Sequence, residues 1–109
     1  MGKFVAGDVV VTLFPFSGLS TNRRRPALVL AEAEFGDFIL CQITSKPYSS
    51  QIAIPLDTES FARGGLPINS YVRPDKLFIA EASLFEKSAG TLRQKQLEVV
   101  LANVCQLFS

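Results

Sequence analysis

Residues Gly7 to Leu30, GDVVVTLFPFSGLSTNRRRPALVL, decide how the chain is read. An apolar run from Val9 to Phe14 enters a polar loop that holds Ser17, Gly18, Ser20, Thr21, Asn22 and the consecutive arginines Arg23, Arg24 and Arg25. Pro26 closes the loop, and a second apolar run leaves from Ala27. Two short runs rich in β-branched and aromatic residues around a Gly/Ser/Asn loop read as two strands. The loop is too long for a tight hairpin, and long loops in compact domains are often functional. A residue before proline is pushed out of the α region into an extended one. Arg25 is therefore expected to be held extended where the loop becomes a strand, a firmer mount than a loop tip.

Working outward, further strands are expected over residues 38–44, 52–56, 70–72, 76–80 and 85–87, after the first two at 9–14 and 27–33. Phe35-Gly36-Asp37 reads as a turn and residues 46–50 as a polar connection. Pro55 marks its strand as an edge or an end, and residues 57–67 read as irregular. Many short strands between turn signals suggest a barrel or sandwich. The end of the chain differs. Thr91-Leu92-Arg93-Gln94 has the pattern of a capping box, and Leu97, Val100, Leu101, Val104, Leu107 and Phe108 recur at helical spacing. The expected class is mainly β with α, a small β-barrel with one C-terminal amphipathic helix packed across it.

The bulk numbers set limits. At 109 residues the chain is expected to be one domain with a single core. With 48% hydrophobic and 19% charged residues it is not a disordered sequence. No apolar stretch approaches the ~20 residues of a membrane helix, and the Met-Gly-Lys start runs into a strand too soon for a secretory signal. A cytoplasmic protein with no membrane partner is the expectation. A net charge of +1 does not advertise nucleic-acid binding, so local clustering carries the argument. The densest cluster is Arg23-Arg24-Arg25, whose plain alternative is a solvated loop. Cys41 and Cys105 sit in apolar contexts and read as reduced core residues. The absence of histidine removes the usual zinc constellations and every histidine-based triad. No metal and no cofactor is expected.

Several pieces resemble the MazF/PemK toxin family, including its Kid-like branch. They are Gly7-Asp8-Val9-Val10, the Ser/Gly loop, and Arg25-Pro26-Ala27-Leu28-Val29-Leu30. Gln42-Ile43-Thr44-Ser45, Tyr71-Val72-Arg73-Pro74-Asp75-Lys76-Leu77-Phe78 and Gly90-Thr91-Leu92 follow in the family's order. The resemblance covers nearly the whole chain. It implies an SH3-like, CcdB-like barrel, a homodimer, that cleaves single-stranded RNA at short sequences and is silenced by a cognate antitoxin. The products implied are a 2′,3′-cyclic phosphate and a 5′-hydroxyl.

Such chemistry sets physical demands. The 2′-hydroxyl must lose a proton and attack phosphorus, charge on the phosphorane must be stabilised, and the 5′-oxygen must leave with a proton. By resemblance Arg25 matches the family's loop arginine before proline, and a planar guanidinium binds phosphate with two parallel hydrogen bonds. Thr44 matches the catalytic threonine, although threonine in a strand is often only a good strand former. Arg73 and Asp75 match the acid-and-base Arg-x-Asp of the Kid-like branch. A neighbouring arginine favours the ionised carboxylate, however, which weakens it as a base, and a surface ion pair is the plain alternative. Ser17, Ser20, Asn22, Arg23, Arg24, Ser45, Lys46 and Lys76 are the candidate RNA contacts, with Arg23 and Arg24 as phosphate-backbone contacts. Two positions depart from the family pattern: Ser20 replaces a frequent Glu or Gln, and Leu19 stands where the Kid-like branch has histidine. Two rival functions remain open on fold alone. One is a CcdB-like toxin that binds gyrase without chemistry; the other is a catalytically silent RNA- or protein-binding barrel.

Overall fold

The computed structural model describes residues 4–14, 23–46 and 51–109. Its elements are β1 (Asp8–Phe14), β2 (Arg23–Glu32), β3 (Asp37–Thr44), β4 (Ile54–Leu56), β5 (Phe61–Gly64), β6 (Ser70–Glu81), β7 (Phe85–Leu92) and the helix α1 (Gln94–Gln106). The strands make one antiparallel sheet in the order β4-β6-β3-β2-β1-β7-β5, a nearly closed, barrel-like sheet. The expected mainly-β architecture with a C-terminal helix is the one observed. No helix among the described residues is long and apolar enough to cross a membrane.

Strand alternation divides the core between the two faces of the sheet. On β2, Leu28 and Leu30 join Val9, Cys41, Ile43 and Val72, and this face is covered by Leu97 and Val100 of α1. Ala27 and Val29 face the other way, with Val10, Phe38, Leu40 and Ala80. That second face is closed by three rings, Phe4 lying 6.2 Å from Phe38 and 5.0 Å from Phe85 in edge-on contacts. Edge-to-face geometry is what the aromatic quadrupole favours. A strand buried on both sides reads as a continuous apolar run, which is why Ala27-Leu28-Val29-Leu30 shows no alternation.

The start of β1 is tied to both neighbours. Gly7, at a φ of +100° that only glycine takes easily, donates its N–H to Val29 and accepts from the N–H of Leu92. The carboxylate of Asp8 accepts from the Val5 N–H at 2.9 Å and from the Thr91 hydroxyl at 3.0 Å. The turn at Phe35 and Gly36 forms as expected, both residues at positive φ.

Several expectations are corrected. Thr91 does not cap the helix: it lies in β7 and spends its hydroxyl on Asp8. Arg93 is the N-terminal cap of α1 and makes no side-chain capping bond. A capping box does exist, but at Asp57 and Ser60, around a short 3₁₀ turn. Residues 57–67 are not wholly irregular, since β5 forms there against β7. The two strands expected at 70–72 and 76–80 are one strand, β6, continuous through a buried Pro74. Leu107 and Phe108 lie past the end of α1 and are exposed, Phe108 to 76%. Periodicity alone extends a helix beyond the point where there is a core left to cover.

Cys41 is buried in the sheet, but Cys105 is exposed, contrary to expectation. Burial pushes the Cys41 thiol from 9.0 up to about 12, because the thiolate would lose its hydration. Ellman's reagent is therefore expected to titrate one thiol in the native protein and two after denaturation. The raised value also fixes a sign. The unfolded chain releases this proton first, so stability falls as pH rises from about 9 towards 12 and is untouched by this group below that window.

Candidate active site

The site is produced by a proline. The ladder between β2 and β3 runs from Glu32↔Phe38 to Ala27↔Gln42 and stops there. The next residue on β2 is Pro26, which has no N–H to donate. Beyond it the two strands part company: β2 continues against β1 through Thr12↔Arg25 and Leu13↔Arg24, while β3 continues against β6 through Ile43↔Val72 and Thr44↔Tyr71. A cleft of about 740 Å³ occupies the split. Arg24, Arg25 and Pro26 line it from β2, Ile43 and Thr44 from β3, Ser45 and Lys46 from the segment that follows, and residues 65–68 form a further wall.

Arg25 and Thr44 each lie two residues past the last β2–β3 pair, Ala27↔Gln42, and so fall on the same side of the sheet. Arg25 is half-buried, and its guanidinium makes no hydrogen bond or ion pair with another described residue. The Thr44 hydroxyl oxygen accepts the Lys46 N–H at 3.1 Å, which fixes the side chain and leaves its hydrogen to be donated. A cation with two parallel donors and a hydroxyl donor thus share one cleft. Arg25 is extended as expected, but β2 begins at Arg23 rather than Ala27, so it is mounted inside a strand.

The other candidates are distributed unevenly. Arg24, Ser45 and Lys46 line the cleft. Arg24 also bridges to Glu86 across the width of β1, Nε to Oε1 at 2.6 Å. Arg23 opens β2 opposite Phe14. Ser17, Leu19, Ser20 and Asn22 lie outside the described residues, as do residues 47–50. Arg73, Asp75 and Lys76 do not line the cleft. They sit on a wide irregularity in which residues 73–76 stand opposite Gln42 alone, between the pairs Ile43↔Val72 and Cys41↔Leu77. There the Arg73 guanidinium meets the Asp75 carboxylate two-pronged, at 3.2 and 2.9 Å. Among the described residues no group of three or more His, Cys, Asp or Glu side chains comes together as a metal site.

Sequence reasoning missed Glu86, Lys87 and Ser88, which line the cleft from β7. Residues 85–87 were legible as a strand, but nothing in a linear sequence tells that β7 docks on the far side of β1 from β2. It also missed Leu66, Pro67 and Ile68, in and just after a stretch that reads only as irregular.

The model of the family described as PemK-like, MazF-like toxin of type II toxin-antitoxin system matches residues 6–108. No curated protein sequence matches the chain. Among solved structures, MazF from Deinococcus radiodurans superposes with a TM-score of 0.73 at 24% identity, over 95% of this chain and 94% of that one. Mycobacterium tuberculosis toxin MazF-mt6 gives 0.71 at 17% identity, over 93% and 95%. An endoribonuclease in complex with its cognate antitoxin from a mycobacterial species gives 0.68 at 12% identity, over 97% and 96%. At these identities the likeness is one of fold.

Proposed function

The chain belongs to the PemK-like, MazF-like toxins of type II toxin–antitoxin systems, and from that premise we propose that it is a metal-independent endoribonuclease acting on single-stranded RNA. The observation that carries the proposal is the pairing of Arg25 and Thr44 on one cleft. In this reading Arg25 grips the scissile phosphate with two parallel hydrogen bonds and offsets the charge that builds on it. Thr44 donates its hydroxyl hydrogen to a phosphate oxygen. The 2′-oxygen loses its proton and bonds to phosphorus, the bond from phosphorus to the 5′-oxygen breaks, and that oxygen leaves protonated. The products are a 2′,3′-cyclic phosphate and a 5′-hydroxyl. The cleft cations Arg24 and Lys46 hold flanking phosphates, with Ser45 as a further contact. Ser17, Ser20, Asn22, Arg23 and Lys76 complete the proposed RNA-contacting set. Arg73 and Asp75, locked on each other off the cleft wall, are the rival acid and base, and Arg73→Ala is the variant that weighs them.

The direct test is purified protein with mixed RNA in excess EDTA. Cleavage is expected to persist, with 5′ ends that a polynucleotide kinase labels without prior phosphatase. Activity that vanishes with chelator and returns with magnesium or zinc overturns the mechanism.

The whole chain is proposed to act as one toxin domain in the cytoplasm, held silent by a cognate antitoxin as the mycobacterial relative is seen to be complexed. It is also proposed to be a homodimer. Ile79 and Leu77 on β6, Val99 on α1 and Leu107 and Phe108 after it all expose apolar surface, and such surface marks association sites. Sedimentation at micromolar concentration is expected to give twice the monomer mass. A monomer that still cuts RNA rejects the paired form.

A further inference from the structure

The carboxylate of Glu86 is out of place. The cleft is lined by Arg24, Arg25, Lys46 and Lys87, a set suited to phosphate, and an anion among them weakens their field. Its presence is also a local irregularity of the strand. On β7, Lys87 pairs with Val11 and Phe85 with the next residue of β1, Thr12, so Glu86 is the extra residue of a β-bulge. A bulge breaks the alternation of side chains and re-aims the extra one. Here the extra residue, Glu86, stands on the cleft beside Lys87.

The contact that results is specific. Glu86 takes the Nε–H of Arg24, not the paired Nη groups. Those Nη groups make no hydrogen bond or ion pair with another described residue. An arginine pinned by Nε keeps its remaining donors for a second anion. Arg24 is otherwise an exposed, long and flexible side chain, 60% open to solvent against 35% for Glu86. An exposed pair of this kind adds little to stability. Holding a flexible side chain in its binding rotamer before the ligand arrives, by contrast, lowers the entropy lost on binding.

We infer that Glu86 is a positioning residue: it holds Arg24 by Nε so that the remaining guanidinium donors face an RNA backbone phosphate flanking the one that is cut. The inference rests on the ribonuclease reading. It runs against the simple charge argument, and that makes it testable. Coulomb attraction alone predicts that removing Glu86 tightens the binding of any polyanion. Positioning predicts the reverse.

The probe is a fluorescent, mixed-sequence 2′-O-methyl oligonucleotide, which has no free 2′-hydroxyl and cannot be cut. Affinity is measured against salt for the parent, Glu86→Ala, Glu86→Gln, Arg24→Ala and the double variant. Glu86→Ala is expected to bind about threefold to tenfold more weakly, the range of one immobilised side chain. Glu86→Gln, which keeps an acceptor oxygen, is expected to recover part of the loss. In the Arg24→Ala background the Glu86→Ala change is expected to weaken nothing further, and Arg24→Ala itself to flatten the salt slope by ~0.7. With cleavable RNA, Glu86→Ala is expected to raise KM and leave kcat close to the parent's. A parent that binds while Glu86→Ala binds as tightly or more tightly overturns this inference alone, as does an equal loss in the Arg24→Ala background. A parent that leaves the oligonucleotide free overturns the ribonuclease reading as well.

Discussion

Arg25→Ala is expected to cut RNA ~10²–10³-fold more slowly than the parent, the cost of losing one preorganised donor to a charged transition state. Thr44→Ala is expected to do the same. Neither should unfold the protein. Among the described residues Arg25 makes no hydrogen bond or ion pair, and Thr44 accepts one hydrogen bond, from the Lys46 N–H. Substitutions of this kind usually change stability by less than about 0.5 kcal/mol. Arg25→Lys should recover little, since an ammonium group cannot form the two-pronged contact. The measurement is the single-turnover rate at saturating enzyme, beside a thermal melt. Arg73→Ala belongs in the same experiment. An unchanged rate in Arg25→Ala with a collapse in Arg73→Ala would move the chemistry from the cleft to the irregular stretch of β6.

Gly90→Ala is expected to destabilise the fold by about 3 kcal/mol, at the upper end of ordinary overpacking. A Cβ on Gly90 would lie 2.5 Å from the Arg63 carbonyl oxygen and 2.9 Å from the Gly65 nitrogen. Both are backbone atoms and cannot rotate aside. Gly64 meets β7 in turn from β5: its Cβ would run into the Ala89 carbonyl oxygen, and its φ of +71° adds the left-handed penalty. Strands β5 and β7 thus meet through glycine. Gly65→Ala is the control, since its Cβ meets nothing within 4 Å. In a domain of this size the expected fall in Tm is roughly 10–20 °C for Gly90→Ala, with little change for Gly65→Ala. Equal melting of the two variants would show that the close approach does not exist. Because residues 65–68 wall the cleft directly after β5, Gly90→Ala should also depress cleavage at temperatures where it remains folded.

What the sequence discloses depends on the range of the interaction. Arg25-Pro26 was legible, because a proline acts on its neighbour and announces itself. Its wider effect, separating β2 from β3, needed the pairing of both strands. The approach of Arg25 to Thr44 could be reasoned from one hairpin, the turn at Phe35-Gly36, since a hairpin is local and its register propagates. Glu86 could not be found in this way, because its place depends on β7 returning to the other side of β1 and on a bulge that carries no residue signature. The capping box at Thr91 failed for a related reason. A four-residue pattern has more than one solution, and here the Asp8 carboxylate offered Thr91 a tertiary partner instead.

The sheet ends at β4 on one side and β5 on the other. Exposed strand edges invite another chain to add on through its backbone. Neither edge here is suited to that. β4 has three residues with Pro55 at its centre, and β5 has four, with exposed Arg63 next to the terminal Gly64. The long apolar strands β2 and β3 are flanked on both sides, whereas β4 covers β6 only over Ser70–Val72, so that the outer edge of β6 beyond Val72 has no strand partner among the described residues. In a chain that is 48% hydrophobic, that stretch of β6, with exposed Leu77 and Ile79, is where another chain could add to the sheet. A self-complementary contact through β6 and the C-terminal helix would close as a twofold pair and cover that edge, whereas a head-to-tail contact there would leave it free to grow.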